Sequence, residues 1–357
     1  MAAPAVPGAP PPVVLDAMGG DHGPAETVPG ALLAARDHGV RVRLVGRADE
    51  LRRELRRHGA DGLDCVNGLG GAGGAGGGVE VLHAADAVPM AERGAGAAAR
   101  TESSLMVGCE AARREGAAFV SAGSTGAVVT SAVRVLGRRE GVPRPALAVA
   151  LPSLTGTTVL LDAGATADPT AEMVARHAVL GTEYARRVLG VADPSVGLLS
   201  IGAEPGKGDR LARDAARLLP GLPVRFHGNV EGHDVLTGTV DVVVTDGFTG
   251  NVALKTIEGC VRTTLALVAR AGIADPARLR EVARLYAAET HGGAALLGLT
   301  GTVVVAHGSS RRAAIARACV MARALAADEP IAPPGEPDIA PAHVIPAPAH
   351  ERPAHLA

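Results

Sequence analysis

The chain has 357 residues, about two average domains in length, with 47% hydrophobic residues, 20% charged residues and a formal net charge of −2. So apolar a chain buries a large core. Its near-neutral charge and 1% aromatic content exclude a single-strand nucleic-acid binder, which needs a basic groove and stacking platforms.

In chain order, residues 1–12 are small and Pro-rich and lack the basic start and apolar run of a signal peptide. A strand is expected at 13–16, a helix at 24–38, a strand at 42–46 and a helix at 49–57. Residues 67–78 (NGLGGAGGAGGG) read as a flexible connection. Strands follow at 79–82, 117–121, 146–150, 157–162, 196–201, 224–227, 240–245 and 302–306, with helices at 103–115, 171–189, 209–218, 252–271 and 311–326. Residues 329–357 are again Pro-rich, so a core over 13–328 is expected between two disordered tails. His343, His350 and His355 then read as solvated tail residues. The alternation of apolar strands with helices predicts an α/β fold with a mostly parallel sheet covered by helices. The uncharged stretch 116–133 is interrupted by Gly, Ser and Thr and reads as strand, turn and helix start, not as a membrane span. Cys65, Cys109, Cys260 and Cys319 form no CxxC pair. Neither a zinc ribbon nor a disulfide framework is expected, and a reducing cytoplasm is.

Five segments share one design, a strand running into a Gly-rich turn. They hold Asp16, Gly19, Gly20 and Asp21; Gly123, Ser124, Thr125 and Gly126; Asp162 and Gly164; Gly202 and Lys207; and Asp246, Thr249, Gly250 and Asn251. On one edge of a parallel sheet such turns would form a cradle for an anion, because glycine admits close backbone approach and free helix N–H groups carry partial positive charge. Asp16 and Asp21 have the chemistry to hold a cation, against the favoured, blander reading that each bonds the turn it begins. The chain has only two lysines, Lys207 and Lys255, beside 33 arginines, and no glutamine. A lysine kept under such a bias is a candidate for work that a planar guanidinium cannot do. Familiar signatures fail: no Walker spacing, no G-x-G-x-x-G after the first strand, no G-x-S-x-G and no H-E-x-x-H.

Residues 14–24 (VLDAMGGDHGP) resemble the opening of the phosphate:acyl-ACP acyltransferase family (PlsX) of bacterial phospholipid synthesis. Residues 121–127 (SAGSTGA), 160–164 (LLDAG), 226–232 (FHGNVEG), 241–255 (DVVVTDGFTGNVALK), 292–299 (GGAALLGL) and 306–310 (AHGSS) match in family order. The resemblance implies a three-layer α/β/α Rossmann-like fold, similar to isopropylmalate dehydrogenase and phosphotransacetylase, usually as a homodimer. It implies a transfer of a fatty acyl group from acyl carrier protein to inorganic phosphate, giving acyl phosphate, with no metal and no cofactor. A phosphate oxygen attacks a thioester carbonyl in that reaction, so the enzyme must hold a dianion and stabilise an oxyanion.

Within that expectation Lys207 contacts phosphate or the oxyanion. Asn251 donates a hydrogen bond and lies within a side-chain length of Lys207. Lys255 serves phosphate or structure, and His307 protonates the departing thiolate or bonds its own turn. Ser309 and Ser310 cap the last helix and offer N–H groups to an anion. Arg134, Arg138 and Arg139, on the helix after SAGSTGA, and Arg311 and Arg312 are candidates for docking acidic acyl carrier protein, against the reading of a solvated Arg-rich surface. A downstream glycerol-3-phosphate acyltransferase is a further candidate partner. The family pattern is broken at Ser124, Thr166, Thr170, Ser200, Arg100–Glu102, Thr290 and His291. The segment between Glu258 and Gly292 is shorter than the family norm, which leaves peripheral membrane contact open. Alternatives are a paralogue using acyl-CoA or a specialised acyl chain, a non-catalytic partner-binding homologue, and a dehydrogenase, which the missing dinucleotide fingerprint disfavours.

Overall fold

A computed structural model describes residues 11–60, 78–92, 94–286, 292–327 and 329. In chain order these form β1 (Val13–Asp16), α1 (Pro24–His38), β2 (Val42–Gly46), α2 (Ala48–Arg57), β3 (Val79–His83), α3 (Gly94–Ala99), α4 (Ser104–Glu115), β4 (Phe119–Ser121), α5 (Thr125–Leu136), β5 (Ala146–Ser153) and β6 (Gly156–Leu161). There follow α6 (Ala171–Val188), β7 (Ser195–Leu199), α7 (Arg210–Leu218), β8 (Arg225–Val230), α8 (Asp234–Thr237), β9 (Val242–Val244), α9 (Gly247–Arg270), α10 (Pro276–Leu285), β10 (Ala294–Leu297), β11 (Val303–Val305) and α11 (Arg312–Ala326). The expectations for the tails, for the Gly-rich connection before Gly78, and for Cys65, Thr290 and His291 lie outside the described residues.

The inner strands β1, β9 and β11 are runs of Val and Leu buried on both faces, as a sheet sandwiched between helices requires. Alternate side chains feed opposite layers. Val13 and Leu15 join Val42, Leu44, Val120 and Val304 under α1, α2, α6, α7 and α11. Val14, Phe119, Val303 and Val305 point the other way, into α3, α4 and α5. A third cluster, with Leu160, Val230 and Val243, lies under α8 and α9. The fold is a three-layer α/β/α arrangement. No described helix is long and apolar enough to cross a membrane.

The eleven described strands form one sheet in the order β3-β2-β1-β4-β11-β10-β5-β6-β9-β7-β8. Among them only the β10 pairings and the β5–β6 hairpin are antiparallel. Strand β5 belongs to both halves: Ala146–Ala148 pairs with β10, and Val149–Ser153 pairs with β6. This hairpin corrects the expectation that five Gly turns share one edge. β1, β4 and β11 run together, whereas β6, β9 and β7 run the opposite way. The turns after β1 and β4 therefore belong to one strand direction and those after β6, β7 and β9 to the other. Apolar runs carry no sign of strand direction, so the reversal at Leu154–Thr155 is silent in the sequence. Helix α9 begins at Gly247, five residues earlier than expected, because Asp246 caps it with a 2.7 Å bond from the Thr249 N–H.

Candidate active site

β1, β4 and β11 are sheet neighbours, and their C-terminal turns are knitted together. The Ser121 hydroxyl donates to Asp16 Oδ2 (2.7 Å) and accepts the Gly123 N–H (3.0 Å), while Asp16 Oδ1 accepts the Met18 N–H (3.2 Å). A Cβ on Gly19 would lie 2.6 Å from Asp16 Oδ2 and 2.8 Å from Gly123 N, so only glycine lets the two turns touch. Gly20 has φ +89°, and the Asp21 N–H donates to Gly308 O (2.8 Å), tying in the turn after β11. Asp16 is 1% exposed. Burial pushes its carboxyl above the usual range, against hydrogen bonds from Ser104, Ser121 and the Met18 and Gly19 backbone. Its carboxylate builds the turn, and the expected direct contact with substrate is not carried by this geometry. At the start of α5, Ser124 stands at the N-cap, where its carbonyl accepts the Val128 N–H (3.0 Å) but its hydroxyl makes no cap bond. The Thr125 and Gly126 N–H groups thus stay free of partners among the described residues, an anion-ready helix start.

Asp162, at the end of β6, is fully buried. Its Oδ1 accepts N–H groups of Leu147, Gly164 and Ala165 (2.9, 3.0 and 2.9 Å), and its Oδ2 accepts Thr166 N–H (2.7 Å). Those four bonds engage the carboxylate, so the geometry gives Asp162 the work of organising its turn and does not carry the expected substrate contact. Helix α9 lands on this turn: the Gly247 N–H donates to Thr166 O (2.8 Å), and a Cβ on Gly250 would sit 2.0 Å from Asp162 O. Asn251 packs on Gly164, whose added Cβ would lie 3.6 Å from Asn251 Cγ. At 3.6 residues per turn, Asn251 and Lys255 share a flank of α9.

Lys255 Nζ donates to Glu258 Oε2 (2.8 Å) and to His307 Nε2 (3.1 Å). An ammonium has no lone pair, so Nε2 accepts and the neutral ring carries its proton on Nδ1, which donates to Ser309 Oγ (2.7 Å). The Ser309 N–H also points at Nδ1 (3.2 Å), a contact that this tautomer leaves unused. Both ring nitrogens are engaged. His307 therefore positions Lys255, and the expected proton delivery straight from His307 to a thiolate is not carried.

Lys207 lies in the exposed loop after β7, its stem 3.2 Å from where a Cβ on buried Gly202 would be. Asn229 shapes that loop, donating from Nδ2 to Glu204 O (3.2 Å) and Lys207 O (3.4 Å). The Lys207 ammonium and the Asn251 amide have no hydrogen-bond or ion-pair partners among the described residues, and they do not bond to each other. Their two segments meet around one cavity of about 250 Å³, lined among others by Ser200, Gly208, Asp246 and Thr249.

The helix placement expected for two of the arginines is corrected, and four of them have partners. Helix α5 ends at Leu136, and Gly137 (φ +82°) turns the chain out, so Arg138 and Arg139 are not on it and Arg134 and Arg138 share no helix face. Arg138 donates to Pro143 O, and Arg139 pairs with Glu183 (2.8 Å). Arg312 and Arg311 pair with Glu26 at 3.2 and 3.6 Å. Glu26 also accepts the Arg312 N–H (2.7 Å), so it caps α11 in place of Ser309 or Ser310. Burial works against the Glu26 carboxylate, but hydrogen bonds and charge from Arg312, with Arg311 behind, hold it below the usual range. Sequence reasoning missed Glu26, Ser121 and Glu258. Only Glu258 left a signal, its i+3 spacing from Lys255 on a helix. Of the positions that break the expected pattern, Thr170 caps α6 and Thr166 bonds Pro145 O (3.1 Å), both structural uses.

A family model described as "Fatty acid synthesis protein" matches residues 12–332. A phosphate acyltransferase of Thermobifida fusca (strain YX) is 48% identical over 334 residues, covering 89% of each chain. A phosphate acyltransferase of Thermus thermophilus is 43% identical over 326 residues, covering 88% of this chain and 94% of that one. Among solved structures, a phosphotransacetylase from Streptococcus pyogenes superposes with a TM-score of 0.60 at 17% identity, covering 89% of this chain and 95% of that one. The EutD phosphotransacetylase from Staphylococcus aureus gives 0.56 at 15% identity, covering 89% and 94%. At such identities the structures establish the fold alone.

Proposed function

The chain belongs to the phosphate acyltransferase family of fatty acid synthesis proteins, and we propose that it moves a fatty acyl group from acyl carrier protein to inorganic phosphate, releasing acyl phosphate. The observation that carries this reading is the placement of Lys255. Its ammonium, steered by Glu258 and His307, stands over the turn that adjoins the uncapped start of α5. A compact cation beside free amides suits a phosphate dianion.

In this reading the Thr125 and Gly126 amides, the Ser124 hydroxyl and Lys255 hold phosphate. Lys207 and Asn251, unpartnered on the facing segments, donate to the thioester carbonyl oxygen. One phosphate oxygen bonds to the carbonyl carbon, and the carbonyl electron pair moves onto oxygen, where those two donors stabilise it. Collapse re-forms the carbonyl and breaks the C–S bond, and the sulfur leaves as a thiolate. Asp16, Asp162, Gly19 and Gly250 support the reaction by fixing the turns.

The test supplies purified protein with phosphate and acyl-[acyl carrier protein], then with acyl-CoA, and traps acyl phosphate as a hydroxamate. The expected result is phosphate-dependent product with the carrier-protein donor at much lower KM. Product from acyl-CoA alone overturns the carrier-protein assignment, and no product from either donor overturns the transferase reading.

A further inference from the structure

We infer that the cavity between α6, α7 and the ends of β7 and β9 receives the apolar tail of the acyl substrate, an assignment that rests on the acyl-transfer reading above. Ser200, Asp246 and Thr249 line it, on the segments that carry Lys207 and Asn251, so a thioester held by those two residues has its chain beside the cavity. Its walls are aliphatic: Val174, Leu198, Leu211, Ala212 and Ala215. The two aspartates at its rim are occupied as helix caps. Asp209 accepts the Ala212 N–H (2.8 Å) and Asp246 the Thr249 N–H (2.7 Å), so neither carboxylate is turned loose on an apolar guest. The Ser200 hydroxyl is buried and has no hydrogen-bond partner among the described residues, a polar atom in the lining awaiting one.

The size sets a limit. A cavity of about 250 Å³ holds roughly eight groups of the size of water or a methylene, at ~30 Å³ each. A longer chain has to run back out over the rim. There Ile201 is 81% exposed, and Phe248 and Val252, one turn apart on α9, are 66% and 51% exposed. Large apolar side chains left in water beside an apolar cavity are the expected surroundings of such an exit. The cavity therefore grades chains up to about eight carbons, and the rim takes the remainder.

The experiment uses calorimetric binding of butyrate, octanoate and dodecanoate to the full chain, alongside a turnover series with donors of the same lengths. In the wild type each methylene from four to eight carbons should tighten binding about fourfold. Ala212→Leu, on a half-buried wall, takes the room of three methylenes. It should weaken octanoate roughly sixtyfold and leave butyrate unchanged. Ile201→Ala, at an exposed position that cannot unsettle the core, should weaken dodecanoate several-fold and spare octanoate. Octanoate binding alike to wild type and Ala212→Leu overturns the assignment, as does a wild type that does not favour octanoate over butyrate. If Ala212→Leu does not fold, the Ile201→Ala result decides in its place. Loss of turnover with every donor would refute the transferase reading while leaving the binding outcomes to judge the cavity.

Discussion

Gly250→Ala tests how the site is assembled. The new methyl would stand 2.0 Å from Asp162 O, a backbone atom that cannot rotate away, whereas ordinary contact begins at 3.4 Å. Helix α9 must then lift by roughly 1.4 Å at this turn. The Lys255–His307 contact, now 3.1 Å, opens past hydrogen-bond reach, and Asn251 leaves Gly164. Misplacement on the order of 1 Å costs about 100-fold in turnover, and overpacking costs about 1–3 kcal/mol of stability. Gly259 supplies the control. It is in the same helix with nothing within 4 Å of an added Cβ, so Gly259→Ala should gain up to about 1 kcal/mol from helix propensity alone. The assay is kcat and KM for acyl phosphate formation, with urea unfolding of both variants. If Gly250→Ala turns over within twofold of wild type and gains stability as Gly259→Ala does, α9 is not seated as described.

Lys207→Ala should lower kcat about 100- to 1000-fold without moving the urea midpoint, since its ammonium is exposed and unpartnered among the described residues; near-normal kcat would remove Lys207 from the chemistry. Glu26→Gln should cost about 2 kcal/mol through weakened charge-assisted bonds to Arg312. Because the Glu26 carboxyl is held below its ordinary value of 4.5, its contribution is present above that pH and is lost as pH falls through the lowered value. The variant's stability should therefore fall less steeply below pH 4.5, and parallel curves would contradict this. His177, 1% exposed in α6, has its proton affinity lowered by burial, against Asp162 and the Arg144 carbonyl. The unfolded chain takes up a proton there first, so stability should drop as pH falls below 6.5, and His177→Gln should flatten that slope in urea titrations.

The legible parts of the fold are those with local chemistry. Strand β1 is a run of β-branched and leucine residues, and α1 is punctuated by Pro24 at its start and by Gly39 at φ +62° after its end. Strand β10, Ala294–Leu297, left no signal because Ala-Ala-Leu-Leu suits a helix as well as a strand. In the site, scarcity singled out Lys207 and Lys255, but it gave no sign of which partners surround them. Asp162 looks like a ligand contact in one dimension, whereas the bond of Asp16 to the turn it begins is readable there and is present. Whether a strand-end carboxylate faces solvent or its own turn depends on packing and on partners distant in sequence, such as the Leu147 N–H that Asp162 accepts from fifteen residues away.

The position of β11 governs how the molecule must be made. It lies in the interior of the sheet, between β4 and β10, yet it is the last of the described strands to be synthesised. β4 leaves the ribosome about 180 residues before its neighbour, a delay of about 10 to 35 s at usual elongation rates. Through that interval β4 and the first half of β5 each carry an open hydrogen-bonding edge with apolar faces, the surface on which nascent chains mispair. Premature termination anywhere before residue 303 leaves β4 and β10 without the strand that joins them, so such fragments present unpaired strand edges, the hazard for aggregation.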